Sequence, residues 1–453
     1  MTINILNNIL YDKLSWLKIQ KKKKSIYDIQ RNITISNRNF YKKLQSEQSI
    51  FILEIKKSSP SKGIINNKFN INNIIKYYKR HASAISILTD EKYFQGKFEF
   101  LSQVSTLVKQ PILCKDFFID PYQIYLARYH HADAILLMLS VLNDQQYKSL
   151  EYIAHQLNMG ILTEINNISE LNRAIQLNVK IIGINNRNLK NLNIDINRTY
   201  KLAPLIPKNK IIISESGIKN NQQVKKLKNI VNGFLIGSSI MKSKNIGLKI
   251  NSILFGNNKI CGLTRPKDAK ISKKLGAVYG GLIFIPNSLR YIKYNIAKNI
   301  INSTKLKYVG VFQNENIDKI NFLFKKLNLY AIQLHGNENQ KYIINLKKKI
   351  YKNIKIWKAI YIEKNQKKLN FKYIDYYLFD NFKGGSGISF DWKKIKNYNL
   401  KKVFLSGGLS LENCDAASKL NCFGLDFNSK LEKFPGIKDH TKLKKLFKKL
   451  KSL

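Results

Sequence analysis

Sixteen short apolar runs, arranged as two sets of eight, constrain the fold of this 453-residue chain more than any other feature. The runs are rich in Ile, Val and Leu, and helix-length segments separate them. This pattern predicts parallel strands joined by crossover helices. The first set comprises residues 50–56, 84–90, 111–117, 134–140, 159–165, 180–186, 210–216 and 233–239. The second set comprises residues 259–265, 279–284, 308–312, 331–336, 356–360, 376–380, 403–408 and 423–429.

Eight strand–helix units close a (β/α)₈ barrel, so two sets predict two consecutive TIM barrels of the α/β class. We expect the first domain to span residues 1–255 and the second to span residues 256–453. Residues 1–48 precede the first strand, and their loosely helical apolar spacing predicts one or two helices capping the bottom or the rim of the first barrel. A lysine-rich amphipathic helix is expected after Asp439 at the end of the second barrel.

The charge of the chain is strongly positive, with 79 Lys and Arg against 29 Asp and Glu and a formal net charge of +50. Such an excess, taken alone, suggests a nucleic acid or an anionic surface as partner. However, the lysines are scattered over predicted loops and helix faces. Ile, Asn, Lys, Tyr and Phe, which share A/T-rich codons, are all abundant. Base-composition bias is therefore the simpler explanation, and the positive field favours anionic small substrates in either case.

The four cysteines show neither a CxxC pair nor metal-ligand spacing. So few thiols in so long a chain predict free cysteines in a reducing compartment. The sequence contains no run of 18 or more apolar residues, and its N-terminus lacks the pattern of a secretory signal. We therefore expect a cytoplasmic protein without a membrane span.

Small residues follow the seventh and eighth predicted strands of both sets, in SESGI (214–218), GSS (237–239), SGGLS (406–410) and DFNS (426–429). Barrels commonly bind phosphate at this place, where glycine lets the backbone N–H groups of a helix start approach the anion. Tight turns also use Gly and Ser, but matching loops in two barrels favour phosphate binding. The candidates are Ser216, Gly217, Gly237, Ser238, Gly407, Gly408, Asn428 and Ser429.

Five charged residues stand at four predicted strand ends of the first set: Glu54, Lys56, Lys115, Glu164 and Glu215. Charges this close to a barrel core are costly unless they are paired, so these residues should pair and shift one another's pKa values. Such a set suits general acid–base catalysis with a lysine as acid and a glutamate as base. A purely structural ion-pair network is the alternative. The segment SSPSKG (58–63) is interpreted as a mobile loop over this site.

In the second set, Cys261 ends the first predicted strand and Asp380 ends the sixth. A cysteine has a pKa of roughly 8.5, so a modest perturbation produces a thiolate base. Asp380 would face it as an acid. A lone cysteine is more often a small buried apolar residue, so the hypothesis depends on the pairing across one barrel mouth. KGGSG (383–387) is predicted to be a flexible loop that could close on a substrate.

These motifs resemble two enzyme families in succession. Residues 1–255 are similar to indole-3-glycerol-phosphate synthase in the strings ILEIKKSSPSKG, LTDEKYFQG, CKDFFIDPYQI, LTEI, GINNRNL, ISESGI and FLIGSS. Residues 256–453 are similar to phosphoribosylanthranilate isomerase in the strings CGLTR, GGLIF, VGVF, QLHG, LFDNFKGGSG, LSGGLS, GLDFNS and FPGIKD. The order of the two is that of the bifunctional tryptophan-biosynthesis fusion of enteric-type bacteria.

The resemblance implies that the second domain opens phosphoribosylanthranilate by an Amadori rearrangement. Asp380 matches the general acid that acts on the furanose ring oxygen, and Cys261 matches the general base that acts on the adjacent carbon. Arg290 matches an arginine near the anthranilate carboxylate, although this chain has Leu289 where family members often have proline. The substrate-binding candidates of this domain are Arg265, Arg290 and His335.

The resemblance also implies that the first domain closes the ring of carboxyphenylamino-deoxyribulose phosphate, with loss of carbon dioxide and water. Lys115 matches the principal acid, Glu164 a catalytic carboxylate, and Lys56 the lysine that holds the substrate carboxylate. The other catalytic candidates are Glu54 and Asn185, and the substrate-binding candidates are Ser59, Phe117, Arg187 and Glu215. Neither step requires a metal or an organic cofactor. The expected partners are small phosphorylated anions, with no specific nucleic acid and no membrane, and a monomeric chain is expected.

Two alternatives to a fully active bifunctional enzyme are left open by the sequence. The first is a basic polyanion-binding protein on a double-barrel scaffold, which steeply salt-dependent DNA binding would support. The second is a chain in which one domain has decayed into a scaffold. Turnover of each half-reaction by the purified protein distinguishes these possibilities.

Overall fold

The computed structural model describes residues 5–350, 354–362, 369–381 and 387–452. The chain divides into two compact units, one formed by residues 1–219 and 223–247 and the other by residues 220–222 and 248–453. Each unit contains one closed barrel of eight parallel strands, which confirms the predicted fold class. No helix in the described ranges is long and apolar enough to cross a membrane.

The first barrel follows the strand order of the chain, and every predicted run contains one strand. Its first strand pairs with the second through Ile52 and Ala84 and with the eighth through Ile50 and Gly233, which closes the cylinder. Parallel strands are buried on both faces, so they appear in the sequence as nearly continuous apolar runs. The strands are Ile50–Ile55, Ala84–Leu88, Ile112–Lys115, Ala134–Met138, Gly160–Ile165, Ile181–Asn185, Ile211–Glu215 and Gly233–Ile236.

Side-chain caps begin many of the helices around this barrel. Asp120 caps the helix Pro121–Tyr129 in a capping box, and Asn143 does the same for Asp144–Gln156. The remaining α-helices with residues in this unit are Ile5–Lys23, Ile26–Arg31, Phe40–Gln45, Ile71–Tyr78, Glu91–Phe94, Glu99–Ser105, Ile168–Gln176, Asn197–Leu202, Asn221–Leu227 and Ser238–Met241, with a 3₁₀ turn at Ala203–Leu205.

The N-terminal extension forms three helices where the spacing predicts one or two, and it contacts both ends of the barrel. Phe40 packs against Gly160 at the start of the fifth strand, where an added Cβ would come within 2.6 Å of the Phe40 ring. At the other end, the buried Lys13 pairs with Asp90 at 2.8 Å and with Asp116 at 2.7 Å, beyond the second and third strands. The extension therefore covers the bottom of the barrel and also braces its rim.

The second barrel repeats this architecture, and its first strand closes the sheet by pairing with Tyr279 and Asp426 through Lys259. Its strands are Lys259–Ile260, Tyr279–Ile283, Lys307–Phe312, Ala331–Leu334, Lys355–Tyr361, Tyr376–Asp380, Val403–Leu405 and Gly424–Phe427. Its α-helices are Ile246–Leu254, Pro266–Leu275, Tyr294–Ser303, Ile317–Leu327, Gln340–Lys349, Cys414–Lys419 and His440–Ser452. The last of these confirms the predicted C-terminal helix. Three 3₁₀ turns (Trp392–Ile395, Leu400–Lys402, Ser429–Leu431) and a hairpin (Glu432–Phe434, Ile437–Lys438) complete the unit.

Aromatic side chains fill the second barrel near the starts of its strands. Trp357 and Phe404 stack with their ring centroids 4.3 Å apart, and Tyr279 meets both edge-on. Aromatic rings bury large areas and prefer such offset or edge-to-face packing. The apolar core thus occupies the strand starts and leaves the strand ends for charged side chains.

Candidate active sites

The mouth of the first barrel is built around Lys115, the last residue of the third strand. Its ammonium Nζ lies 3.2 Å from Glu164 and 3.0 Å from Glu215, on the fifth and seventh strands. The Asn185 side-chain amide donates to the other oxygen of Glu164 at 3.0 Å. Four strand ends therefore converge on one cluster, as the charge pattern predicts. Both carboxylates are buried.

Lys56 and Glu54 form a second ion pair at this mouth, at the end of the first strand. Two glycines provide space for the buried carboxylates. A Cβ at Gly237 would collide with the Glu54 carboxylate, and one at Gly183 would collide with that of Glu215. The sequence reasoning missed Gly183, although a glycine inside an apolar strand is a known sign of close approach.

Burial and charge together set the protonation states of this cluster. Burial raises the pKa of Glu215 to about 7; the Lys115 cation opposes this shift and the Glu164 carboxylate adds to it. Burial disfavours the charged form of Lys115, but Glu215 and Glu164 outweigh it and hold the pKa of the ammonium above its ordinary value. Lys115 is therefore protonated near neutral pH, and Glu215 exchanges its proton there. This arrangement can perform general acid–base chemistry.

The segment after the first strand, which the sequence predicts to be a mobile loop over residues 58–63, contains a small antiparallel hairpin. Ser58 pairs with Ile64, and Ser59 pairs with Gly63. Ser61, at the hairpin tip, accepts a hydrogen bond from the Arg187 guanidinium at 3.1 Å. Backbone pairing gives this short segment a regular structure, which its Ser, Pro and Gly content does not predict.

Phe117 and the Gly/Ser-rich turns complete the first mouth. Phe117 is buried and packs against the ring of Phe94, with centroids 6.4 Å apart, so it forms an apolar wall. Ser216 and Gly217 both have positive φ, at 64° and 88°, which is uncommon for a residue with a side chain. Gly237 precedes the short helix that begins at Ser238, and no side chain caps that helix. The turns after strands seven and eight therefore present backbone N–H groups, which anions favour.

Asp380 lies at the end of the sixth strand of the second barrel. Its carboxylate accepts hydrogen bonds from the Asn381 backbone N–H at 2.8 Å and from the Ser406 hydroxyl at 3.2 Å. Burial raises the pKa of Asp380 to about 6, against the Asn381 N–H, which favours the ionised form. A carboxyl group with this pKa can carry a proton near neutral pH and act as an acid.

His335 lies beside Asp380, with its Nε2 atom 3.8 Å from the carboxylate. Burial, together with the nearby cations of Lys259 and Lys358, lowers the pKa of His335 to about 4. The imidazole is therefore neutral at physiological pH, and its approach to Asp380 is not an ion pair. His335 can supply a hydrogen bond at this mouth without adding charge.

Cys261 follows the short first strand and lies close to a lysine that the sequence reasoning missed. The Lys259 ammonium lies 3.2 Å from the Cys261 sulfur, 2.7 Å from Asp426 and 2.9 Å from the Gln333 side-chain oxygen. Burial raises the pKa of the Cys261 thiol, and the Lys259 cation acts in the opposite direction. A lysine two residues before the cysteine, hence on the same face of a strand, was the available signal.

The two predicted arginines of the second barrel are both held by carboxylates. Arg290 forms a bidentate pair with the buried Glu432, at 2.7 and 3.0 Å. Its side chain runs beside Gly262, because a Cβ there would lie 2.7 Å from the Arg290 Cδ atom. Arg265, in contrast, pairs with Asp268 of the helix that it precedes, at 2.9 Å. The structure thus brings Arg290 next to the residue that follows Cys261, whereas Arg265 is directed to a helix.

The Gly407–Gly408 turn of the second barrel lies beside Asp380. Gly407 and Gly408 have φ of 81° and 61°. A Cβ at Gly407 would lie 2.9 Å from the Asp380 carboxylate. Asn428 precedes the 3₁₀ turn that starts at Ser429, and no side chain caps that turn. Of the predicted flexible loop 383–387, residues 383–386 lie outside the described residues.

The fold and the two mouths define a double-barrel protein with a buried acid–base set and Gly/Ser-rich turns in each barrel. In the part of the chain that is described, no group of three or more His, Cys, Asp or Glu residues is arranged to hold a metal ion. Family models match both barrels. Residues 6–253 match indole-3-glycerol phosphate synthase, and residues 258–449 match N-(5'phosphoribosyl)anthranilate isomerase.

Two relatives that match over nearly the whole chain support this assignment. The tryptophan biosynthesis protein TrpCF of Buchnera aphidicola subsp. Schizaphis graminum (strain Sg) is 57% identical, over 99% of this chain and 100% of its own. TrpCF of Yersinia pestis is 49% identical, over 99% of this chain and 95% of its own. The solved phosphoribosyl anthranilate isomerase of Thermus thermophilus is 30% identical, over 43% of this chain and 98% of its own, with a TM-score of 0.40. The chain belongs to the TrpCF family of tryptophan-biosynthesis proteins, in which a synthase domain precedes an isomerase domain.

Proposed function

We infer that this chain catalyses two consecutive steps of tryptophan biosynthesis. The second domain isomerises N-(5-phosphoribosyl)anthranilate to 1-(2-carboxyphenylamino)-1-deoxyribulose 5-phosphate. The first domain converts that product to indole-3-glycerol phosphate, with loss of carbon dioxide and water. Family membership over the whole length supports both activities. The observation that carries the proposal is that each barrel holds its own buried acid–base set at the carboxyl ends of its strands.

In the isomerase step, Asp380 gives its proton to the furanose ring oxygen as the ring C–O bond breaks. The nitrogen lone pair forms a C=N bond in place of the broken C–O bond. Cys261, as the thiolate, then removes the proton from the carbon next to the C=N carbon, so that the C–H electron pair forms a carbon–carbon double bond and the C=N π pair returns to nitrogen. The resulting enol becomes the ketone when its hydroxyl loses a proton and the former C=N carbon gains one. A pKa of about 6 lets Asp380 carry this proton near neutral pH. Arg290, fixed by Glu432, is assigned to the anthranilate carboxylate. The Gly407–Gly408 and Asn428–Ser429 turns are assigned to the phosphate.

In the synthase step, the substrate ketone oxygen must gain protons and leave as water while the new carbon–carbon bond forms and carbon dioxide departs. Lys115 is assigned as the acid, because two buried carboxylates keep it protonated. Glu164, oriented by Asn185, is assigned as the second catalytic group. Lys56 is assigned to the substrate carboxylate, and the turns at Ser216–Gly217 and Gly237–Ser238 to the phosphate.

The proposal also covers organisation and partners. We propose that the two functional domains are residues 1–255 and 256–453 of a monomeric cytoplasmic protein. Its ligands are small phosphorylated anions, and its +50 charge has no specific nucleic-acid partner. Backbone N–H groups hold substrate phosphate in partly enclosed turns, whereas scattered surface lysines contact DNA in the open, where salt screens them.

The test is turnover by the purified full-length chain, with each substrate supplied separately. We expect both half-reactions, together with DNA binding that is lost at physiological salt. Turnover of only one substrate would support the alternative in which the other domain has decayed into a scaffold. Absence of both reactions, together with tight DNA binding at physiological salt, would favour the polyanion-binding alternative.

A further inference from the structure

Lys259 is a fully buried lysine, with no exposed surface, in the first strand of the second barrel. Its ammonium donates to three acceptors, namely Cys261 Sγ at 3.2 Å, Gln333 Oε1 at 2.9 Å and Asp426 Oδ2 at 2.7 Å. Burial disfavours the charge, but Asp426 and Cys261 outweigh it, so the pKa of Lys259 stays above its ordinary value. Lys259 is therefore a permanent cation in contact with the sulfur.

Burying the Lys259 ammonium with Asp426 costs more free energy than filling the same space with apolar side chains. A buried ion pair often contributes no more to stability than apolar side chains of the same volume. The pair is also incompletely satisfied, since Asp426 Oδ1 has no hydrogen-bond partner among the described residues. The second strand leaves room for the contact, because a Cβ at Gly281 would lie 2.5 Å from the Cys261 sulfur and 2.9 Å from the Lys259 Cε atom. Packing alone therefore explains neither the buried charge of Lys259 nor the space that Gly281 leaves beside the Cys261 sulfur.

We propose that Lys259 is the positioning residue for the isomerase base: its ammonium orients the Cys261 sulfur and stabilises the thiolate that removes the substrate proton. Lys259 keeps its own protons throughout and donates one N–H to the sulfur. The C–H proton passes to sulfur, the C–H electron pair forms the carbon–carbon double bond of the enol, and the π pair of the neighbouring C=N bond returns to nitrogen. Asp426 balances the lysine charge in the resting state. This inference rests on the proposed role of Cys261 as the base.

The other charged groups around Cys261 determine the sign of the effect. Asp426 raises the pKa of the thiol, and Lys438 lowers it alongside Lys259. His335 is neutral, and Asp380 stands at the end of the sixth strand as the proposed acid. Of the two cations, only Lys259 is in hydrogen-bonding contact with the sulfur. Removing it should raise the thiol pKa and move the ascending limb of the isomerase pH profile to higher pH.

The experiment compares pH profiles of isomerase kcat/KM for the wild-type chain, Lys259→Met and Lys259→Arg. For Lys259→Met we expect an ascending limb shifted by about one pH unit or more, and hence about a tenfold loss or more at neutral pH that high pH partly restores. Lys259→Arg keeps the positive charge, so its pH profile should lie between those of the wild-type chain and Lys259→Met. The thiolate ultraviolet absorbance, taken relative to Cys261→Ala, should titrate with the same shift. Ring closure by the first barrel reports whether the chain remains intact.

A matched control is Lys358→Met, which removes another buried, ion-paired lysine of the same barrel, 2.9 Å from Glu338. It should leave the Cys261 titration unshifted. If Lys259→Met does not fold, Lys259→Met/Asp426→Asn removes both charges and should show the same direction of shift. If the Lys259 variants show no shift in the Cys261 titration or in the pH profile, and the Cys261→Ala chain is inactive, the proposed role of Lys259 is wrong while the role of Cys261 as the base stands. An active Cys261→Ala chain would instead overturn the proposed base.

Discussion

Replacing Lys115 by methionine should remove ring closure and leave isomerisation intact. The ammonium of Lys115 bridges Glu164 and Glu215 at 3.2 and 3.0 Å. Methionine keeps the length and apolar stem of the side chain but supplies neither a proton nor a charge. The isomerase product should therefore accumulate, because its own catalytic groups belong to a separate barrel.

The expected loss of ring-closure activity follows from the two roles of the Lys115 ammonium, as an acid and as the partner of two carboxylates. Loss of a general acid typically lowers a rate by about 10²–10⁴-fold, which corresponds to about 3–5 kcal/mol in the activation free energy. Removing the cation also leaves two buried carboxylates side by side, which costs stability unless one of them binds a proton. Glu215 already has a pKa of about 7 in the presence of the lysine. Without the lysine it should stay protonated at neutral pH, so we expect the variant to fold.

The assay supplies the isomerase substrate and follows both products by mass spectrometry. Lys43→Met is the matched control, because Lys43 pairs with Glu47 on the surface of the extension helix, where such pairs contribute about 0–1 kcal/mol. The control should form indole-3-glycerol phosphate at the wild-type rate. Normal formation of that product by the Lys115→Met chain would refute the assignment of the acid.

Three further predictions concern single side chains. Asp380→Asn should lower isomerase activity by about 10²–10⁴-fold without affecting ring closure, and full isomerase activity in this variant would reject the acid. Gly281→Ala should selectively impair the isomerase in the same two assays, because its Cβ would lie 2.5 Å from the Cys261 sulfur. Normal isomerase turnover by this variant would contradict the prediction, since it would mean that the strand accommodates the added Cβ. Glu215→Gln should flatten the pH dependence of unfolding between about pH 4.5 and 7. In this window the folded wild-type chain binds a proton that the unfolded chain has released, so its stability decreases as pH rises through the folded pKa of about 7. Denaturant titrations across the window measure this difference, and an equal slope in both proteins would contradict it.

The strand positions could be predicted from the sequence because parallel strands buried on both faces produce nearly continuous apolar runs. The strand-end rule likewise located Lys115, Glu164 and Glu215, since parallel strands of one barrel deliver their last residues to one mouth. The hairpin at residues 58–64 was not predictable in this way. Two backbone pairs decide its conformation, and the local composition is that of a loop.

Residues inside strands and on later segments were the ones that the sequence concealed. Lys259 lies within an apolar run, and its contact with Gln333 joins two distant strands. Glu432 fixes Arg290 from 142 positions away. Partners of this kind depend on which strand ends become neighbours, so they appear only after the barrel closes. Motif matching recovered Arg290 but not the carboxylate that holds it.

The central claim is that each barrel of one chain performs one of two consecutive reactions. The most direct measurement mixes the purified Lys115→Met and Asp380→Asn chains and supplies N-(5-phosphoribosyl)anthranilate. Each variant alone should form little or no indole-3-glycerol phosphate. The mixture should form it, because the intermediate released by the isomerase of the Lys115→Met chain reaches the intact synthase of the Asp380→Asn chain. Formation of the final product at the wild-type rate by either variant alone would contradict the account.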